Sequence, residues 1–228
     1  MLSWLKLLQN VFNMLIVDNY FPQWMVDKNA EEFQLIPVTY TNSPYGQYEV
    51  SRFFGQLLID EERWIAPIAP HWFVDYLHMC VCNDILLDYK IEKLDRCLMN
   101  VQTPGQHAQS HTDWDVLKES DRISGLYYIR GDGDTLFVSE QGDTMHVECK
   151  PGRLVLFDST IWHQGCPPVC EPIRYSLGYV WKCASPLSVH DPLDLRNPVP
   201  ILWGYQTKTP NVRSSPRSLH HRRTGCTI

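Results

Sequence analysis

A mainly β fold with its helices gathered toward the N-terminus is what this 228-residue sequence predicts, and three observations carry that reading. After Arg96, short apolar or alternating runs recur every ten residues or so: Cys97 to Val101, Gly125 to Arg130, Thr135 to Val138, Met145 to Cys149, Arg153 to Phe157 and Ile173 to Trp181. Turn chemistry separates four of them, at Gly131-Asp132-Gly133, Gln141-Gly142-Asp143 and Lys150-Pro151-Gly152, which is the punctuation of a strand meander. Before Arg96 the period differs, because Trp72, Phe73, Tyr76, Leu77, Cys80, Val81, Ile85 and Leu86 recur at helical spacing. Strands at this rhythm argue a β-sandwich or barrel. Helices that precede them argue support against one outer face.

Taken in order, Met1 to Val17 is apolar, but Lys6, Gln9, Asn10 and Asn13 interrupt it and no small-residue cleavage site follows. It is expected to be mature structure rather than a signal peptide. The chain to about residue 95 is expected to be mainly helical, broken by aromatic loops such as Tyr40 to Tyr48, where Pro44 and Gly46 mark a turn. Residues 96–183 form the β core. Together they make one expected domain over 1–203, with 204–228 as a separate tail. That tail carries Lys208, Arg213, Arg217, Arg222 and Arg223 and no acid, whereas residues 1–203 hold 15 basic and 26 acidic residues. A body of charge −11 repels a phosphate backbone, so any nucleic-acid contact is expected only through the basic tail, which reads as flexible.

Composition narrows the class further. With 44% apolar, 20% charged and 12% aromatic residues the chain reads as an ordinary soluble globular protein, and no run of 18 apolar residues is present to span a membrane. Eight cysteines, Cys80, Cys82, Cys97, Cys149, Cys166, Cys170, Cys183 and Cys226, without a CxxC pair point to reduced thiols and a cytoplasmic location. Oligomeric state is not readable.

The chemistry gathers around His111-Thr112-Asp113. On an extended backbone residues i and i+2 face one side, so His111 and Asp113 can both point inward. With 9 His and 16 Asp in the chain, chance alone supplies about 0.6 such His-x-Asp matches, so the pair needs company. His163 provides it, 50 positions after Asp113 and just beyond the strand Arg153 to Phe157. Two imidazoles and one carboxylate leave three adjacent positions of an octahedral ion open, as non-haem Fe(II) requires for a bidentate co-substrate and O₂. Arg174 follows eleven residues after His163, with Ser176 on the same face. A buried arginine and a hydroxyl can hold a distal carboxylate through charge-assisted hydrogen bonds.

These residues and their neighbours resemble a known family. His111-Thr112-Asp113, Leu126-Tyr127-Tyr128-Ile129, Gly133-Asp134-Thr135-Leu136-Phe137, Gly152-Arg153-Leu154-Val155-Leu156-Phe157, His163-Gln164-Gly165 and Arg174-Tyr175-Ser176 are similar to the Fe(II)/2-oxoglutarate dioxygenases of the prolyl-hydroxylase-like group, and most of all to the small oxygenases carried by bacteriophages. Leu15 to Pro22 resembles the family's opening strand. The resemblance spans roughly residues 100–181 and implies a double-stranded β-helix core, the jelly-roll or cupin-like barrel. It implies Fe(II) held by His111, Asp113 and His163, and 2-oxoglutarate held at its C5 carboxylate by Arg174, with Tyr128 and Ser176 as further contacts. O₂ is the second co-substrate and ascorbate an optional reductant. Collagen-type relatives usually carry lysine where Arg174 stands. Trp181 falls one residue later than the tryptophan of the animal oxygen-sensing enzymes, which puts it on the opposite face.

Other residues are read more plainly. His146-Val147-Glu148 is a rival His-x-carboxylate but belongs to an ordinary strand, His107 to a polar loop, and Tyr127 to the core, facing away from Tyr128. Trp114 and Asp115 are expected to border the substrate mouth. The implied reaction is oxidative decarboxylation of 2-oxoglutarate coupled to hydroxylation of a substrate C–H bond, and the carboxylate ligand Asp113 favours hydroxylation over halogenation. A peptide or protein side chain such as proline is the first substrate class, and a nucleobase or free metabolite the alternative. A non-catalytic jelly-roll binding module is the third reading.

Overall fold

The computed structural model describes residues 14–41, 53–66, 70–115 and 121–184. The basic tail 204–228, the first thirteen residues and most of the aromatic loop 40–48 lie outside the described residues. Eleven strands and two α-helices follow in order: β1 (Met14–Val17), α1 (Gln23–Phe33), β2 (Thr39–Thr41), β3 (Phe53–Asp60), β4 (Arg63–Trp64), α2 (His71–Asp84), β5 (Ile91–Gln102), β6 (Arg122–Arg130), β7 (Asp134–Val138), β8 (Thr144–Glu148), β9 (Leu154–Asp158), β10 (Trp162–Gly165) and β11 (Arg174–Cys183). A short 3₁₀ turn, Leu87–Tyr89, joins α2 to β5.

Two sheets face each other. The larger has the order β1-β9-β6-β11-β5-β3-β2, with β4 hairpinned onto β3, and the smaller the order β10-β7-β8. All the pairings are antiparallel. An antiparallel β core with chain crossing repeatedly between two sheets is the double-stranded β-helix, as the resemblance implied. No helix among the described residues is long and apolar enough to cross a membrane.

The period-2 rule decides what each strand does. Along β9, Leu154 and Leu156 join the cluster under the helices, while Val155 and Phe157 join the cluster between the sheets. β6 behaves the same way: Ile123, Tyr127 and Ile129 face the helices and Tyr128 faces inward. Both faces are covered, so these strands read as continuous apolar runs rather than as strict alternation. Trp181 lies on the helix side, stacked on Tyr179 at 5.1 Å and donating from Nε1 to His78 Nδ1 of α2 at 2.8 Å. Gly125 makes room for it, since a Cβ there would lie 2.4 Å from the indole.

The mainly helical reading of the first 95 residues is corrected. Among the described residues, α-helices occupy only Gln23–Phe33 and His71–Asp84, and β3 extends the large sheet beside β5. β3 escaped the strand pattern because a bulge between Leu57 and Ile59 breaks its alternation, leaving both Leu58 and Ile59 buried. β5 likewise begins at Ile91, before the apolar run at Cys97. Its first residues are charged yet extended: Lys182 of the neighbouring β11 pairs with Glu92, Arg122 of β6 reaches Asp95 from beyond β11, and Lys93 pairs with Asp95 two residues along the same strand.

Candidate metal and co-substrate site

His111 and His163 meet through a single antiparallel bridge, His111 N–H to His163 O at 3.0 Å and His163 N–H to His111 O at 2.9 Å. This bridge adds a one-residue strand to the edge of the small sheet and brings the rings to 4.4 Å. Two residues on, the backbone N–H of Asp113 is fixed on Ser159 O at 3.0 Å. One ligand atom from each of His111, Asp113 and His163 lies within 4.8 Å of the others, which makes a three-donor set for a metal ion.

Both imidazoles are pre-set. His111 Nδ1 lies 3.0 Å from Gln109 O, and His163 Nδ1 lies 3.0 Å from Ile161 O. A carbonyl can only accept, so each Nδ1 carries the proton and each Nε2 keeps its lone pair for the ion. Burial holds the His163 pKa below the ordinary histidine value, against the pull of the Asp113 carboxylate. Burial raises the pKa of Asp113, but His163, Arg96, His111 and the Ser124 hydroxyl outweigh it, and the carboxyl sits below its usual range. A neutral imidazole beside an ionised carboxylate is the protonation state that binds a divalent cation. Phe137 and Phe157 pack around His163.

The second half of the site sits at the other end of β11. Arg174 is 2% exposed. Its Nη1 donates to Gln102 Oε1 at 2.7 Å and to Cys166 O at 3.0 Å, and its Nη2 donates to Thr135 Oγ1 at 2.7 Å. Nε meets no acceptor oxygen, and no carboxylate among the described residues comes within ion-pair distance of this guanidinium. A buried positive charge bonded only to neutral acceptors can pair with an anion by charge-assisted hydrogen bonds.

Tyr128 and Ser176 stand beside it. The Tyr128 hydroxyl bonds Thr135 Oγ1 at 2.8 Å, and its ring lies 5.2 Å from the Arg174 guanidinium carbon. Burial pushes the Tyr128 pKa up to about 12, against the opposing charge of Arg174, so the phenol stays protonated. The Tyr128 and Thr135 hydroxyls own two protons and share one bond, so one O–H is left to donate outward. Ser176 is buried directly across from Asn100 and Tyr128 in the sheet register.

Gln102 ties the two halves together. While its Oε1 accepts from Arg174, its Nε2 donates to Gln106 O at 3.1 Å and to Gly165 O at 3.0 Å, two residues beyond His163. Gly165 has no room for a side chain, since a Cβ would lie 2.7 Å from Gln102 Oε1 and 3.0 Å from Arg174 Nη1. Sequence reasoning missed Gln102, Thr135, Arg96 and Ser124 as parts of the site. The available signal was a polar residue at an inward position of a buried strand.

The other expectations resolve simply. His146 is exposed and pairs with Asp134 on the outer side of β7 and β8, away from the three-donor set. His107 is an exposed loop residue. Trp114 lies under Arg122, whose guanidinium carbon is 3.4 Å from the ring centre, next to Asp113.

Residues 97–181 match the 2OG-Fe(II) oxygenase superfamily. The fold is similar to that of a Pseudomonas putida prolyl-4-hydroxylase, with a TM-score of 0.54 and 18% identity over 81% of this chain and 100% of that one. It is similar also to a Trichoplax adhaerens prolyl hydroxylase in complex with a peptide fragment of the hypoxia inducible factor oxygen degradation domain, with a TM-score of 0.58 and 18% identity over 77% and 85% of the two chains. A third likeness is to HygX of Streptomyces hygroscopicus with nickel and 2-oxoglutarate bound, with a TM-score of 0.56 and 11% identity over 78% and 85%. Identities this low speak for the fold. No curated protein matches the sequence.

Proposed function

We propose that this chain, a member of the 2OG-Fe(II) oxygenase superfamily through residues 97–181, hydroxylates a C–H bond in a peptide or protein side chain such as proline. In this reading His111, Asp113 and His163 hold Fe(II), and Arg174 receives the distal carboxylate of 2-oxoglutarate. The observation that carries the assignment is the Arg174 guanidinium, buried, bonded to neutral acceptors alone, and linked through Gln102 to the strand of His163.

The donor set fits the group: two Nε2 lone pairs and one carboxylate suit a borderline divalent ion that must keep three positions open. When bound, Fe(II) with 2-oxoglutarate and O₂ supplies the oxidation, which yields succinate, CO₂ and a hydroxylated product. The protein's part is positioning. Arg174 Nε and the spare proton of the Tyr128–Thr135 pair are aimed at an anion; the Gln109 and Ile161 carbonyls fix the imidazoles; Phe137 and Phe157 keep water from the His163 side.

The substrate class is supported by the peptide held by the Trichoplax relative and by the acidic body of the chain, which disfavours broad phosphate contact. The test is succinate release from 2-oxoglutarate by the Fe(II)-loaded protein across proline-containing peptides, nucleosides and free amino acids. Peptide-stimulated turnover with a mass gain of one oxygen on the peptide is the expected result. Stimulation by nucleosides or amino acids alone would overturn the peptide assignment and leave the oxygenase chemistry standing.

A further inference from the structure

Asp113 presents its two carboxylate oxygens to different neighbours. Oδ1 accepts from Arg96 Nη2 at 2.5 Å, whereas Oδ2 accepts from Ser124 Oγ at 2.7 Å and lies 3.7 Å from His163 Nε2. The oxygen on the imidazole side is therefore Oδ2. Arg96 reaches Oδ1 from β5, where it stands opposite Val180 of β11 and Asp60 of β3. It lies on the same strand face as Gln102, six residues further along, so one strand reaches both halves of the site.

We propose that Arg96 is a positioning residue that fixes Asp113 as a one-oxygen ligand and so keeps three coordination positions open. This rests on the assignment of the metal to His111, Asp113 and His163. Two imidazoles and one carboxylate oxygen leave an octahedral ion three positions, two for a chelating keto acid and one for O₂. A carboxylate bound through both oxygens takes one of those positions. Arg96 prevents this by holding Oδ1 in a charge-assisted hydrogen bond, roughly twice as strong as a neutral one. Ser124 is no substitute, because its hydroxyl bonds Oδ2 and can turn instead to Ser159 Oγ, 2.8 Å away.

The guanidinium also repels a cation. Arg96 helps keep Asp113 ionised, but His163 and Ser124 act the same way, so its charge is not required for metal binding as such, and this separates a positioning role from a general structural one. Removing the charge frees Oδ1 to join the ion, so metal affinity holds or rises while co-substrate affinity falls, because the keto acid must now displace a carboxylate oxygen.

The experiment uses the full chain without metal, titrated anaerobically with Mn(II) and then, once loaded, with 2-oxoglutarate, both followed by calorimetry. The parent, Arg96→Met and Arg96→Lys are compared. Arg96→Met is expected to bind Mn(II) at least as tightly as the parent and 2-oxoglutarate on the order of tenfold more weakly, the low end of the roughly 10- to 100-fold losses in affinity or activity seen when a partner behind a metal ligand is removed. Arg96→Lys is expected to recover part of that loss. Weakened Mn(II) binding in Arg96→Met, or parental affinity for both ligands, would overturn the inference. Should Arg96→Met fail to fold, Arg96→Gln, with a shorter neutral donor, is held to the same two criteria. A parent protein that binds neither Mn(II) nor 2-oxoglutarate overturns the site assignment itself, a different result from a parent that binds both and a variant that matches it.

Discussion

Replacing Arg174 with methionine separates co-substrate binding from everything else the site does. The side chain is buried and donates to Gln102 Oε1, Cys166 O and Thr135 Oγ1, with no carboxylate to neutralise it. Breaking a buried pair by removing one partner costs about 3 to 5 kcal/mol, which at roughly 1.4 kcal/mol per tenfold raises the 2-oxoglutarate Kd at least a hundredfold. Ligand-dependent melting makes this visible. With Mn(II) in place of iron and 2-oxoglutarate at about 100 times the parent Kd, the parent gains about 2.7 kcal/mol. At roughly 2–4 °C per kcal/mol for a chain of this size, that is a rise of about 5–10 °C. The variant, at or below half-saturation, gains about 0.4 kcal/mol and about 1 °C. Without ligand the two should melt close together, because relief of an unpaired buried charge offsets the acceptors left behind at Gln102 and Cys166. A folded Arg174→Met protein that shows the parental 2-oxoglutarate shift would refute the anchor.

Three further outcomes follow from the same geometry. His163→Ala should abolish Mn(II) binding and 2-oxoglutarate turnover while the far-UV circular dichroism stays parental, and near-normal succinate production would remove His163 from the ligand set. Gly165→Ala, whose Cβ would press on Gln102 Oε1 and Arg174 Nη1, should weaken 2-oxoglutarate by about tenfold, from roughly 1–3 kcal/mol of overpacking, with Mn(II) affinity unchanged; equal loss of both ligands would argue general damage. Burial lowers the pKa of His78, whose neutral Nδ1 accepts from Trp181, so its contribution is complete above the unfolded value of about 6.5 and disappears as pH falls through the lower folded value. His78→Asn, which keeps an acceptor and cannot titrate, should flatten part of the fall in Tm between pH 7.5 and 5.5, and an unchanged slope would exclude His78 as a source.

What could be read without coordinates follows the periodicity of the chain. β6 to β9 and β11 were legible because short apolar runs alternate with turn residues, whereas the four-residue β10 was not; the His-x-Asp pair gained meaning from His163 and Arg174 at suitable distances along that meander. β3 and the start of β5 were not. A bulge breaks alternation in Phe53–Asp60, and in Ile91–Arg96 charged pairs stand around only two core-packed apolar side chains, Ile91 and Leu94. Arg96, Gln102 and Thr135 were invisible for a related reason. A polar residue at an inward strand position has no signature until the register shows which neighbour it meets.

That register also orders the interior from one end to the other. Inward along β5 come Arg96, Leu98, Asn100 and Gln102, and across from them on β11 stand Val180, Gly178, Ser176 and Arg174. The charged positions lie at the two ends, Arg96 with the Asp113 carboxylate and Arg174 with Gln102, and the middle is smaller or less polar, with Leu98, Gly178 and Leu126 in register. Six residues of β5 separate the register positions of the two arginines, about 20 Å at roughly 3.3 Å per residue. On the proposed assignment a diacid would place one carboxylate at Arg174 and its keto acid end at the His111, Asp113 and His163 set, whereas a monoacid would satisfy one end only. The exposed side of His111 is then the side left for substrate. On the proposed assignment a keto diacid would meet both ends of this interior, one framed by Arg96 of β5 and the other by Arg174 of β11, and substrate would come from the exposed side of His111.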